Sequence, residues 1–160
     1  MYRIGFGFDA HRFTEGRKLV LGGAEIPVEL GLLGHSDADV LTHAVCDALL
    51  GAMGEGDIGT HFPDSDPQYK GMSSISFLSE ILMLISKKGY EIGNIDSVIV
   101  CEKPKIAPHV PAIKSKLSQV SGIPETALGI KATTTDRMGF TGRGEGIASY
   151  AVALIIKHPD

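Results

Sequence analysis

Apolar positions recur along this chain with two different periods. "YRIGFGFDA" at the N-terminus combines aromatic and β-branched residues and predicts a strand. "KLVLGGAEIPVE" has two short apolar runs around Gly22-Gly23 and predicts a hairpin following it. From Asp37 onward the period changes. Val40, Leu41, Ala44, Val45, Ala48, Leu49 and Ala52 recur at helical spacing until the segment stops near Gly54. "SSISFLSEILMLISKKG" predicts a second amphipathic helix, with a serine N-cap, two lysines in its last turn and Gly89 as its stop. "NIDSVIVCEKPK" predicts a strand broken by Pro104. A third helix is expected from about His109 to Ser121, with Val110, Ile113, Leu117 and Val120 on one face. "LGIKATTT" predicts a strand, "MGFTGRGEG" a glycine-rich turn, and "IASYAVALIIK" a final strand. Alternating strands and helices give an α/β or α+β class built on one sheet. The long connection "EGDIGTHFPDSDPQYKG" lacks periodicity, and connections of that length are usually functional or disordered.

The final strand carries an expectation about assembly. Ile147, Ala151 and Ile155 fall on one face and Ala148, Val152, Leu154 and Ile156 on the other, so neither face is suited to water. Three helices can cover one face of a small sheet, but little sequence remains for the other. A neighbouring subunit is the simplest cover, which predicts a homo-oligomer.

Bulk properties narrow the class. A chain of 160 residues fits a single domain, 1–160, able to bury a core without disulfides. Its net charge of -4 gives no reason to expect a nucleic-acid surface. No apolar run approaches the roughly 20 residues of a membrane span, and no basic-then-apolar leader precedes the first strand. Cys46 and Cys101 are far apart without a C-x-x-C pattern, so free thiols in a reducing cytoplasm are expected. Glycine, at 20 residues, is well above the usual share but scattered, which points to local use at tight backbone positions.

Three polar groupings stand out against this frame. In "GFGFDAHRF", Asp9 and His11 are two apart on a strand and face the same volume; taken alone, they also fit a polar strand end. On the first helix, Asp39, His43 and Asp47 are spaced i, i+4, i+8, a polar stripe preceded by His35, Ser36 and Asp37 in "GHSDAD". The stripe is either a solvated face or a metal-bound imidazole oriented by carboxylates one turn away, which assigns Asp47 as a partner of His43. Asp9, His11 and His43 together would form an open three-ligand site suited to Zn²⁺. In "KATTTDRMGFTGRGEG", consecutive hydroxyls and glycine-turn amides can cradle phosphate, with Asp136 able to hold Mg²⁺; a plain Thr-rich strand and turn fits the same residues.

Taken together, "GFDAHRF", "LGHSDADVLTHAVCDALLGA", "GDIGTHFPDSDPQYKG" and "KATTTDRMGFTGRGEGIA" resemble the 2-C-methyl-D-erythritol 2,4-cyclodiphosphate synthase family from about residue 2 to residue 157. The resemblance implies an α+β domain with one mixed sheet covered by helices on one face. It also implies a homotrimer whose sheets pack around the threefold axis, with active sites between subunits. The implied reaction is a phosphorus–oxygen lyase step of the non-mevalonate isoprenoid route. In it, 4-diphosphocytidyl-2-C-methyl-D-erythritol 2-phosphate closes to the 2,4-cyclodiphosphate and releases CMP.

The family's Zn²⁺ ligands match Asp9, His11 and His43, and a second ion, Mg²⁺ or Mn²⁺, would bridge the substrate phosphates near Asp136. Asp136 stands where the family often has the longer Glu. The resemblance assigns transition-state stabilisation to His35 and Thr134, flanked by Thr133 and Thr135, and puts Ser36 on the erythritol phosphate side. Asp57, Ile58 and Gly59 would hold sugar hydroxyls, and Phe62, Pro63, Asp64, Ser65 and Asp66 continue that wall. A neighbouring subunit's Cys101, Glu102, Lys103, Pro104, Lys105, Ile106 and Ala107 would form the cytosine pocket, with Phe140 and Arg143 lining substrate or a central cavity. Competing readings are a zinc-dependent phosphohydrolase and a non-catalytic trimer that binds isoprenoid diphosphates. A bacterial cytoplasmic location is expected; a processed plastid-type form would look the same.

Overall fold

The computed structural model describes residues 1–158. A five-stranded mixed sheet has the order β4-β1-β7-β5-β6, built from β1 (Tyr2–Thr14), β4 (Gly31–Leu32), β5 (Tyr90–Val100), β6 (Leu128–Thr133) and β7 (Gly146–Lys157). β5 and β6 are parallel and the other pairs antiparallel. β2 (Leu19–Leu21) and β3 (Ala24–Ile26) form the separate hairpin expected around Gly22-Gly23. The α+β class with a mixed sheet is borne out. Among the described residues, no helix is long and apolar enough to cross a membrane.

β1 and β7 face each other along their length, and α1 (Val40–Met53) lies across both. The alternation in "YRIGFGF" runs against the usual rule. Gly5 and Gly7 point into the core while Ile4, Phe6 and Phe8 stay exposed. The reason is the distance to the helix. A Cβ on Gly5 would sit 1.8 Å from Ala48 O, and one on Gly7 1.9 Å from Ala44 O, so only glycine lets α1 rest directly on the strand. α3 (Ser74–Lys87) packs beside α1, and α4 (Val110–Ser121) closes the layer, its Ile113 and Leu117 packed under the Gly22 turn.

The other side of the sheet is open. Tyr2, Ile4 and Phe6 are 73%, 72% and 63% exposed, and Tyr150 and Val152 continue the patch from β7. Ile147, Ala151, Ala153 and Ile155 on the opposite face of β7 are fully buried. The final strand thus has two apolar faces, as its pattern predicts, of which one is covered within the chain.

Several boundaries differ from the sequence expectation for identifiable reasons. α1 starts at Val40 rather than Asp37 because Ala38 is left-handed at φ +57° and Asp39 is the N-cap. β5 begins four residues before Asn94, passing through an irregularity between Ile92 and Asn94. The long connection contains a short helix, α2 (Ile58–His61), and a 3₁₀ turn at Pro67–Tyr69; the glycine-rich turn contains α5 (Gly139–Gly142). Both cysteines are free and buried. Burial, with a smaller push from Glu102, raises the Cys101 thiol to about 11.

Asp39 departs furthest from its expected place. It is fully buried, not part of a solvated stripe. Its two oxygens accept from Gly22 N (2.9 Å), Gly23 N (2.7 Å), Thr42 N (3.0 Å) and Thr42 Oγ1 (2.7 Å), tying the hairpin turn to the helix start. Burial raises its pKa against those bonds. Asp39→Ala strands three amide donors, two of them buried, and removes a helix cap, so it is expected to lower stability by about 3 kcal/mol in urea unfolding. A loss under about 1 kcal/mol would show that water replaces the carboxylate.

Candidate active site

Asp9 and His11 continue the inward-facing series that begins with Gly5 and Gly7. The glycines seat α1 against β1, and one residue before the Ala44 contact the helix presents His43. Three side chains from two elements therefore converge. His11 Nε2 and His43 Nδ1 each lie 2.9 Å from Asp9 Oδ2, and the two ring nitrogens are 3.3 Å apart. Asp9 is held well below the usual carboxylate range: burial raises it, but hydrogen bonds and charge from His11 and His43 outweigh burial. Burial lowers His11 in turn, and its bond to Asp9 more than reverses this, so its pKa rises.

The donor set fits a divalent ion. Tetrahedral zinc with bonds of about 2.0–2.1 Å spaces its ligand atoms about 3.3 Å apart, close to the separations here. Lone pairs brought this near need a cation or protons between them. His11 is oriented for that role, since its Nδ1–H donates to Leu33 O at 2.8 Å and leaves Nε2 toward the cluster. Leu33 and its neighbours are themselves fixed: Leu33 N donates to Arg12 O, and Arg17 donates to Gly34 O at 2.6 Å and to Ser36 O.

The cluster opens on a cavity of about 250 Å³. His35 and Ser36 form one wall, and Ile58, Gly59, Phe62 and Asp64 from the long connection form another. Tyr69 and Phe77, which carried no sequence signal beyond an apolar position, complete it; Phe62 and Phe77 stack at 4.6 Å. His35 Nδ1 is 3.9 Å from Asp64 Oδ1 across the opening. Asp57 caps α2 by accepting from Thr60 N and Oγ1, both at 2.8 Å, and those bonds lower its pKa. Asp66 caps the Pro67–Tyr69 turn, and Pro63 and Ser65 lie in the segment between.

Other expected site residues lie elsewhere on the single chain. Glu102, Lys103, Pro104, Lys105 and Arg143 line a different cavity of about 890 Å³. Cys101 and Ile106 are buried, and Ala107 is exposed. Thr133, Thr134 and Asp136 are exposed at the end of β6 and line neither cavity, while Thr135 Oγ1 donates to Met138 O at 2.6 Å. Phe140 sits beside a small hollow with Ala10, Arg12 and Glu145, and Arg143 pairs with Glu145 at 2.6 Å.

Asp47 needs correction. Its Oδ1 accepts from Ile58 N at 2.8 Å, so it anchors the start of α2 rather than His43. The i+4 spacing places it one turn along the helix, but the imidazole turns the other way, toward β1 and α3. His43 Nε2 meets Ser74 Oγ at 2.8 Å and Ser36 Oγ at 3.1 Å. The sequence reading missed Ser74 because "SSIS" looks like a helix cap, a role that Ser73 fills.

A family model described as the YgbB family matches residues 2–156. The chain belongs to the YgbB family. It is 56% identical to the 2-C-methyl-D-erythritol 2,4-cyclodiphosphate synthase of Halalkalibacterium halodurans over 157 residues, covering 98% of this chain and 100% of that one. The enzyme of the same name from Syntrophotalea carbinolica is 55% identical, over 98% of this chain and 96% of that one. Among solved structures, a 2C-methyl-D-erythritol-2,4-cyclodiphosphate synthase in a CDP-bound form superposes with a TM-score of 0.89 at 38% identity, covering 96% of this chain and all of that one. The resemblance read from the four motifs therefore holds over nearly the whole chain.

Proposed function

We propose that this chain cyclises 4-diphosphocytidyl-2-C-methyl-D-erythritol 2-phosphate to 2-C-methyl-D-erythritol 2,4-cyclodiphosphate with release of CMP, in the non-mevalonate route. Membership of a family whose relatives carry that name supports the reading. The structural observation that carries it is the Asp9–His11–His43 triangle lining a cavity with His35 and Ser36. An oxygen of the 2-phosphate attacks the β-phosphorus, a new P–O bond closes the ring, and the bond to the bridging oxygen breaks with its electron pair leaving on CMP.

Asp9, His11 and His43 would hold a divalent ion such as Zn²⁺, which when bound polarises a phosphoryl oxygen and neutralises developing charge. The chain's own residues supply the rest. His35 and Ser36 stand where they can donate to phosphate oxygens, and the connection from Asp57 to Asp66 encloses the sugar, so that attacking and attacked groups are held together. A second ion, Mg²⁺ or Mn²⁺, would sit with the substrate diphosphate near Asp136, with Thr134 as the neighbouring donor.

The site is completed by a second copy in this reading. In support, Glu102, Lys103, Pro104 and Lys105, four of the residues assigned to the cytosine pocket, line a cavity separate from the metal cluster within one chain. The exposed Tyr2, Ile4, Phe6, Tyr150 and Val152 patch gives the sheet an apolar face to bury around a threefold axis. Phe6→Glu is expected to convert a trimer to monomer in sedimentation velocity and to abolish turnover, because a carboxylate desolvated in that face costs several kcal/mol. A parent that sediments as a monomer would overturn the trimer. A cytoplasmic setting belongs to the same reading.

The test is ³¹P NMR of the purified chain with the cytidyl diphosphate substrate and Mg²⁺. A coupled pair of cyclic diphosphate resonances together with CMP is expected. Release of inorganic phosphate instead would favour the zinc-dependent phosphohydrolase, and unchanged substrate the non-catalytic binding trimer.

A further inference from the structure

His43 meets the metal cluster through Nδ1, and its other ring nitrogen is held from behind. Nε2 lies 2.8 Å from the hydroxyl of Ser74, a fully buried residue that opens α3. That hydroxyl donates to Asp37 Oδ1, and Asp37 also accepts from Ser74 N at 3.0 Å and Asp39 N at 3.2 Å. A carboxylate can only accept, so it sets the direction of the whole run. With Ser74 O–H committed to Asp37, the serine oxygen has only a lone pair to offer His43. Nε2 must carry the proton, which leaves the Nδ1 lone pair facing Asp9 and His11. Ser36 Oγ, longer at 3.1 Å and already accepting Ala38 N–H at 3.2 Å, supports the same tautomer less strongly.

We infer that Asp37 and Ser74 are positioning residues that fix the tautomer and ring angle of His43, and through it the affinity of the site for its divalent ion. The inference rests on the metal-binding reading of Asp9, His11 and His43. It assigns to Ser74, 31 positions beyond His43 in the chain, and to Asp37, which accepts the Ser74 hydroxyl, the role that helical spacing suggested for Asp47. A merely structural role, capping α3, would use Asp37 and Ser74 N–H alone, and Ser74→Ala leaves that bond in place.

Zinc affinity, measured by competition with a chromophoric chelator, separates the two. Ser74→Ala is expected to weaken zinc binding by about 10- to 100-fold, the usual cost of losing the group that orients a metal-bound imidazole. Asp37→Asn is expected to do the same, since its amide can donate to Ser74 Oγ and turn the hydroxyl toward Nε2, pushing the proton onto Nδ1. Long-range ¹H–¹⁵N spectra of the metal-free parent should show His43 protonated at Nε2; this reading needs no variant and stands if Ser74→Ala fails to fold. Tight binding by the parent, Ser74→Ala and Asp37→Asn alike would overturn the relay alone, as would a His43 proton on Nδ1. A parent that binds no zinc would overturn the metal reading and the relay with it.

Discussion

His43→Ala is expected to fold like the parent and to lose turnover by roughly 10³-fold or more, the scale of several kcal/mol of metal-assisted stabilisation. The side chain is 12% exposed and belongs to a polar cluster rather than to the apolar core, so its removal leaves the helix seated. It takes away one vertex of the Asp9–His11–His43 triangle, and two remaining ligands two positions apart on one strand cannot enclose a tetrahedral ion. Zinc content by atomic emission should fall together with the ³¹P-monitored rate, while the thermal midpoint of the metal-free protein stays within a few degrees. Turnover within tenfold of the parent would remove His43 from the chemistry and leave the cavity without its proposed Lewis acid.

Gly7→Ala should be among the most destabilising conservative changes in the chain, at about 3 kcal/mol, the upper end of ordinary overpacking. The added methyl would lie 1.9 Å from Ala44 O and 2.7 Å from Ala48 N, both helix backbone, so no side-chain rotation relieves it. Either α1 lifts from β1 or the strand bends away. Both movements separate His43 from Asp9, because Gly7, Asp9 and His11 share one strand face and His43 precedes the Ala44 contact. The urea midpoint and zinc affinity are therefore expected to fall together. Intact zinc affinity with lowered stability would mean that the strand yields locally at residue 7 without moving the ligands. An unchanged midpoint would contradict the close seating of the helix altogether.

Much of this architecture was readable one segment at a time. The order of strands and helices, the Gly22-Gly23 hairpin, the Ser73 cap and the two apolar faces of β7 follow from local periodicity and from the few residues that tolerate caps and left-handed turns. So did the cluster of Asp9, His11 and His43, since strand alternation and one helical position suffice to point them inward. Helix spacing failed at the same helix, however. Asp39, His43 and Asp47 form one stripe on a wheel, yet Asp39 binds the hairpin turn, His43 turns to β1 and α3, and Asp47 anchors α2.

By itself the sequence determined which residue types sit at which period, and therefore the elements, the family and the three side chains that could hold a metal ion. Only the tertiary structure decided who partners whom. The run of hydrogen bonds from His43 to Ser74 and from Ser74 to Asp37 joins positions with no periodic relation, and each buried polar group takes whichever donor or acceptor the packed chain brings within reach. The inward turn of Gly5 and Gly7 was likewise settled in three dimensions. Burying Phe6 and Phe8 would satisfy the hydrophobic pattern locally, but the helix backbone at 1.8–1.9 Å from an added Cβ leaves room for hydrogen alone.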